Sequence, residues 1–264
     1  MKAQLLLISI FLGLAGISAC AGQKAISEEK TADIWKDYPV GHIVFDDQAS
    51  ETEGSKVYHR IVTHPQDYIA EQARTVLATL YDAPSDSIVP VDTIHYSLQD
   101  IEGVSAKDGG NGVVSIFYST RHIEKSFAAN DTAKLFFETR GVLLHELTHA
   151  YQLEPQGIGS YGTNRVFWAF IEGMADAVRV ANGGFTPADR PKGGNYMDGY
   201  RTTGYFFVWL KDNKDKDFLR KFNRSTLEVV PWSFDGAIKY ALGNEYDIDS
   251  LWHEYQVAVG DIQE

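Results

Sequence analysis

A short segment of the chain, His145-Glu146-Leu147-Thr148-His149, has two imidazoles four residues apart and a carboxylate beside the first. In an α-helix, residues i and i+4 lie on one face, so both rings can bind one ion, while Glu146 points about 100° round the helix from His145. The segment lies among apolar residues, namely Val142, Leu143, Leu144, Leu147 and Ala150. A buried helix with such polar groups needs partners for them, and a metal ion supplies partners. The spacing therefore predicts a zinc site with Glu146 as general base. A five-residue match also arises by chance, and the helix then has two hydrogen-bonded histidines on a solvated face.

A second acidic pair lies on the next predicted helix. Glu172 and Asp176 are four residues apart within an apolar stretch, where carboxylates without partners are rare. Since a catalytic zinc site has three protein ligands, we predict Glu172 as the third ligand. Asp176 is then expected to accept a hydrogen bond from a ligand histidine. Two alternatives stay open: Asp176 is the ligand instead, or the pair forms a structural cap or salt bridge.

The N-terminus has the pattern of an export signal. Lys2 precedes an uncharged segment that is too short to span a membrane. Small residues then lead to Cys20, the single cysteine of the chain, as in the lipid-attachment box of bacterial lipoproteins. We expect residues 1–19 to be a lipoprotein signal peptide and Cys20 to become the lipid-bearing N-terminus, because several acyl chains anchor a protein stably. The alternative is an ordinary cleaved signal that leaves a free thiol at Cys20.

The composition of the rest of the chain predicts a tether followed by one domain. Residues 20–40 are polar and charged, whereas residues 41–264 are numerous enough to bury a core. The net charge of −12 argues against nucleic-acid binding and against electrostatic attachment to acidic lipid, so membrane contact is expected through the lipid alone. Ala21 after the cysteine favours the outer membrane or cell surface of a bacterium, and we expect a monomer.

The order of predicted elements indicates an α+β fold with a cleft between its two halves. Strand patterns and one helix fill the first half, and helical patterns fill the second. Strands are predicted at residues 41–45, 91–98 and 112–118, and a helix at residues 65–81. Helices are then predicted from Asp131 or Thr132 to about Leu153, from Asn164 to Gly183, and at residues 199–210, 216–223, 234–242 and 248–257.

The strand at residues 112–118 is our predicted binding site for an extended substrate. Val113, Val114 and Ser115 follow a glycine-rich turn that allows close approach of another chain. A free sheet edge there would hold a peptide through backbone hydrogen bonds. The alternative is an interior strand that is paired on both sides.

Motifs along the domain resemble those of the plant basic secretory protein family and its bacterial relatives, zinc peptidases related to the glutamate-zincins. The resemblance runs from about Gly41 to Gln256. It rests on Asp100–Val104, Gly141–Gln152, Ile171–Asp176, Gly199–Thr203 and Leu251–Gln256. It implies a zincin-like fold with a small N-terminal sheet and a helix, an active-site helix, and a mostly helical C-terminal half. It also implies one catalytic Zn²⁺ and a peptide or protein substrate. Plant members are basic and this chain is acidic, so the resemblance names no particular substrate.

The same resemblance selects Tyr200, at the family's Gly-Tyr position, as the residue that stabilises the oxyanion of peptide hydrolysis. Other tyrosines compete for this role, namely Tyr161, Tyr196 and Tyr205.

Together these features predict a zinc-dependent peptidase in which Glu146 activates water and then passes the proton to the leaving amine. Two other classes of protein stay open: a lipoprotein that binds without catalysis on the same scaffold, and a metal hydrolase for a non-peptide bond. The intact Glu146 argues against pure binding, because a binding site needs no base.

Overall fold

The computed structural model describes residues 34–263. They form an α+β fold in which a small mixed sheet comes first and helices make up most of the remainder, as the sequence predicted. The strands are β1 (His42–Asp47), β2 (Thr93–Gln99), β3 (Ser105–Gly110) and β4 (Val113–Ser119). The helices are α1 (Glu53–Ile61), α2 (Pro65–Leu80), α3 (Thr120–Ser126), α4 (Thr132–Tyr151), α5 (Arg165–Ala181), α6 (Tyr200–Asn213), α7 (Phe218–Glu228), α8 (Phe234–Leu242) and α9 (Ile248–Ala258). The expected signal peptide and Cys20 lie outside the described residues.

The sheet has the strand order β1-β2-β4-β3, with the first three strands parallel and β3 antiparallel to β4. Alternate residues of β2 are buried, Ile94, Tyr96 and Leu98, because successive side chains of a strand point to opposite faces. Their counterparts on β4 are paired with them in register, so one face of the sheet forms a continuous apolar layer. Helix α2 packs against β1, and α4 packs against β3.

The prediction that β4 is a free edge is wrong. Ser115 pairs with His95 of β2 on one side and with Asp108 of β3 on the other. Val114 is buried in the core, whereas Val113 and Ser115 lie on the opposite face of the sheet. The physical reason is the hairpin at residues 110–113, which folds β4 back alongside β3. The backbone groups of β4 that do not bond to β2 therefore bond to β3. The free edge on this side of the sheet is therefore β3.

Two helices carry the predicted site, and both begin at side-chain caps that the sequence indicated. Asp131 accepts a hydrogen bond from Lys134 N at 2.9 Å, and α4 starts there. Asn164 accepts one from Val166 N at 2.8 Å at the start of α5. Such caps satisfy backbone N–H groups that have no partner within the helix, so the caps set where each helix begins.

Helices α5 and α6 approach each other unusually closely. A Cβ atom on Gly173 would lie 2.3 Å from the Thr203 side chain, and one on Gly204 would lie 2.9 Å from the backbone of Asp176. Only glycine fits at these two positions, so the α5 backbone at Gly173 packs against the Thr203 side chain, and the α6 backbone at Gly204 packs against the α5 backbone. The N-terminal end of α6 is thereby held against the face of α5 that carries the acidic pair.

The described part of the expected tether, residues 34–40, lies against the domain. Trp35 is 1% exposed, and the Tyr151 hydroxyl donates a hydrogen bond to Val40 O at 2.6 Å. Within residues 34–263, no helix has both the length and the hydrophobicity that crossing a membrane requires.

Candidate metal centre and catalytic cleft

Three side chains from α4 and α5 converge on one point. His145 Nε2 lies 3.0 Å from His149 Nε2, because the two residues are one helical turn apart. Glu172 Oε2, from α5, lies 3.3 Å from His145 Nε2 and 3.6 Å from His149 Nε2. These are the three residues that the sequence predicted as ligands, and one ligand atom of each faces the same space.

The cluster fits a tetrahedral metal ion. Bonds of about 2.0–2.1 Å to a tetrahedral zinc set neighbouring ligand atoms about 3.3–3.4 Å apart, and the three observed separations bracket that value. Glu172 Oε2 is buried and receives no hydrogen bond of acceptable geometry from the described residues. A buried carboxylate oxygen without a donor is unfavourable, and a cation between it and the two rings removes that cost. The residues present therefore suit a divalent metal.

Each of the three side chains is held on its far side by a different partner. His145 Nδ1 lies 2.7 Å from Asp176 Oδ1, and the Tyr161 hydroxyl donates to Glu172 Oε1 at 2.5 Å. The Gln152 amide lies 2.8 Å from His149 Nδ1. Asp176 thus lies behind a histidine rather than beside the central space, which favours Glu172 over Asp176 as the third ligand.

The charges of the cluster favour a cation at its centre. Burial lowers the pKa of His145, but its hydrogen bond with Asp176 and the nearby Glu172 carboxylate outweigh burial and raise that pKa to about 10. Burial raises the pKa of Glu172, but the neighbouring His145 and His149 hold it well below its usual range. Positive charge between the rings and carboxylates is therefore strongly stabilised, whether a proton or a metal ion supplies it.

Glu146 lies beside this cluster, and its carboxylate faces the cleft. The residue is only 6% exposed, yet none of the described residues forms a hydrogen bond or ion pair with the carboxylate. It differs in this respect from Glu172 and Asp176, whose oxygens contact the histidines or Tyr161. A carboxylate that is shielded from solvent and forms no hydrogen bond or ion pair is suited to accept a proton from a water molecule in the cleft.

Tyr200 lines the cleft next to the histidines, at the first residue of α6. Its ring stacks on His145, with centroids 6.1 Å apart and planes inclined by 15°. Burial and the charges of nearby carboxylates, chiefly Glu172, raise the pKa of Tyr200, so the hydroxyl keeps its proton and can donate it in a hydrogen bond.

The competing tyrosines divide into two groups. Tyr161 also lines the cleft, but its hydroxyl is committed to Glu172. Tyr205 donates its hydroxyl proton to Thr186 O, and Tyr196 packs against Phe234 in the C-terminal core. Neither Tyr205 nor Tyr196 lines the cleft, so of the four candidates only Tyr200 lines the cleft without donating its hydroxyl proton to Glu172.

The cleft has a volume of about 770 Å³ and runs between α4 and the sheet. Its sheet-side wall is formed by Val104, Ser105, Ala106 and Lys107. Ser119 N–H donates a hydrogen bond to Val104 O at 2.9 Å. In an antiparallel pair, every second residue bonds to the neighbouring strand, so the backbone groups of Ser105 and Lys107 point away from β4. This segment is hydrophilic and lacks β-branched residues after Val104, which is why strand patterns in the sequence did not reveal it.

One end of the cleft holds a buried arginine that the sequence did not single out as functional. Arg179 donates to Glu138 Oε2 at 2.7 Å and to Gly184 O at 3.0 Å, and it stacks on the Phe185 ring. A Cβ atom on Gly141 would lie 2.5 Å from Arg179 Nε. Glycine at position 141 therefore makes room for the guanidinium, which ties α5 to α4 two turns from His145.

Comparison with known proteins identifies a family for the chain. No curated protein matches the chain. A family model, described as a peptidase of plants and bacteria, matches residues 41–255. The match covers most of the chain and includes every residue of the cluster, the cleft wall and Tyr200. The chain therefore belongs to this family of peptidases of plants and bacteria.

Proposed function

We propose that this peptidase depends on one zinc ion held by His145, His149 and Glu172. The proposal rests on one observation. Three ligand atoms face a common point, and the buried Glu146 carboxylate lies beside them without a hydrogen-bond partner among the described residues. Two nitrogens and one oxygen form a ligand set typical of catalytic zinc. When bound, such an ion polarises a carbonyl and increases the acidity of a water molecule.

Glu146 is the general base of the proposed reaction. Its carboxylate accepts a proton from the attacking water, and it later returns that proton to the amine that leaves. Shelter from solvent strengthens its interactions with charge that develops in the cleft. Tyr200 is the proposed hydrogen-bond donor to the carbonyl oxygen, because its hydroxyl keeps its proton and its ring lines the cleft beside His145.

The substrate is proposed to bind as an extended strand along β3. The outward N–H and C=O groups of Ser105 and Lys107 are available at this edge, and both residues line the cleft. Pairing with a sheet edge holds a peptide by its backbone and presents one carbonyl to the groups of α4. The side chain of Lys107 lies along the same wall and adds positive charge there.

For location, we propose an exported bacterial lipoprotein anchored through Cys20, at the outer membrane or cell surface. The support for this proposal is the sequence pattern of residues 1–20 alone.

A peptide-library digest tests the activity. The zinc-loaded protein is expected to cleave peptides, and a chelator is expected to stop cleavage until zinc is restored. Glu146→Gln should retain zinc and fold while activity falls by at least about 100-fold, since general-base catalysis contributes about 10²–10⁴. Cleavage that continues in the chelated protein, or at the wild-type rate in Glu146→Gln, would contradict the mechanism. Zinc binding without cleavage of any peptide would favour a binding module or a hydrolase for another bond.

A further inference from the structure

The side chain of Gln152 has a position that the proposed mechanism leaves unexplained. Gln152 is the first residue after α4, and its side chain turns back onto the last helical turn. Its amide lies 2.8 Å from His149 Nδ1, and the residue is only 4% exposed. The structure has the amide nitrogen toward the ring, while Oε1 is buried without a partner among residues 34–263.

Metal binding fixes which atom His149 can offer to this amide. A neutral imidazole carries its proton on one nitrogen and has an acceptor on the other. His149 directs Nε2 at the point shared with His145 and Glu172, so Nδ1 carries the proton and has to donate it. An amide NH₂ group cannot accept that hydrogen bond, whereas an amide oxygen can.

The amide of Gln152 can meet this requirement by turning through 180°. The turn exchanges oxygen and nitrogen without changing the space that the side chain fills. In the orientation of the structure, the remote Oε1 receives no hydrogen bond from residues 34–263, so turning the amide breaks no hydrogen bond at that end. The contact with His149 therefore decides the orientation, and a ring that donates from Nδ1 selects Oε1.

We propose that Gln152 is a positioning residue for His149, which accepts a hydrogen bond from Nδ1 through Oε1 and so directs Nε2 at the metal. This inference rests on the proposed zinc site. With it, each ligand has its own partner: Asp176 for His145, Tyr161 for Glu172, and Gln152 for His149. Gln152 is uncharged, as Tyr161 is, so it orients the ring without adding a fourth carboxylate to Glu146, Glu172 and Asp176.

Two substitutions separate this role from simple packing at the helix end. Gln152→Met keeps the length of the side chain but removes the acceptor, and we expect zinc affinity to fall about 10- to 100-fold. Gln152→Glu keeps an acceptor and cannot donate, so we expect affinity within about threefold of wild type or tighter. If Gln152 only filled space, the order would be reversed, because a buried charge is less tolerable than a thioether.

Gln72 provides a matched control. It is a buried glutamine on α2, 3% exposed, and its Oε1 also lacks a partner among the described residues. Gln72→Met should leave zinc affinity unchanged, whatever its effect on thermal stability. Zinc affinity is measured by competition with a chromophoric chelator, and folding by circular dichroism.

Nitrogen NMR of the zinc-loaded wild type tests the same inference without any variant. We expect His149 to be protonated at Nδ1, and metal bound to Nδ1 would overturn the inference. Equal zinc affinity in Gln152→Met and wild type would overturn it as well, as would a greater loss in Gln152→Glu than in Gln152→Met. Wild-type protein that binds no zinc would instead refute the proposed function, and this inference with it.

Discussion

Replacement of Asp176 gives the sharpest test of the ligand assignment. Asp176 Oδ1 lies 2.7 Å from His145 Nδ1, on the side of the ring away from Glu172 and His149. Asp176→Asn keeps an oxygen in the same place but removes its charge. Asp176→Ala removes the acceptor altogether. Neither change removes a predicted ligand, so both variants should bind zinc with reduced affinity.

The expected loss follows from the strength of this hydrogen bond. A hydrogen bond to a charged group contributes about 1.5–3 kcal/mol, and one between neutral groups about 0.5–1.5 kcal/mol. The difference of about 1–1.5 kcal/mol predicts about tenfold weaker zinc binding for Asp176→Asn. Asp176→Ala forfeits the whole bond, which predicts about 10- to 150-fold weaker binding.

Competition with a chromophoric zinc chelator measures these affinities directly. Asp212→Asn is the matched control, because it makes the same chemical change at an exposed carboxylate that pairs with Lys211. Glu172→Ala should abolish tight binding, since it removes a ligand. If Asp176→Asn abolished binding while Glu172→Ala retained it, the two carboxylates would have exchanged roles. Wild-type affinity in Asp176→Ala would refute the orienting hydrogen bond.

Three further outcomes are expected. Gly141→Ala should lower the free energy of unfolding in urea by up to about 2 kcal/mol, because crowding of Arg179 costs about 1–3 kcal/mol and alanine regains about 1 kcal/mol of helix propensity. A variant more stable than wild type would contradict this. Lys107→Pro should keep the fold and the zinc but lower kcat/KM for peptides, because it removes an N–H group at the open edge of β3. Lys107→Ala keeps that N–H, so equal activity of the two variants would show that substrate binds elsewhere. Cys20→Ser should move the protein from the membrane fraction to the soluble or unprocessed fraction, and an unchanged distribution would refute the lipid anchor.

Local chemistry explains what the sequence predicted well. Asp131 and Asn164 satisfy the first backbone N–H groups of α4 and α5, and capping is a short-range effect that a sequence displays directly. The one-turn spacing of His145 and His149 likewise fixes their common face. These features depend on residues within one helical turn of each other.

Long-range pairing explains what the sequence could not give. Whether β4 is an edge or an interior strand depends on whether β3 pairs with it. The sequence does not mark β3 as a strand, because its residues, Ser-Ala-Lys-Asp-Gly-Gly, are mostly hydrophilic. The sequence also does not predict helices α1 and α3, because they are short and their stability comes from contacts with each other. The contact of Tyr161 with Glu172 joins a loop to a helix, and no periodic pattern marks such a pair. For Gln152, the sequence shows only that it is the last residue of the motif Gly141–Gln152.

The glycine contact between α5 and α6 has a consequence for redesign of the cleft. Gly173 and Gly204 leave no space for any side chain, so the two helices act as one fixed template that bears Glu172, Asp176 and Tyr200. New specificity cannot be introduced by shifting that template, since a single added methyl group would push the helices apart. The opposite wall is more permissive, because Ala106 and Lys107 lie on a strand with one open edge. A directed-evolution library should therefore vary residues 104–107 and leave the helix pair untouched.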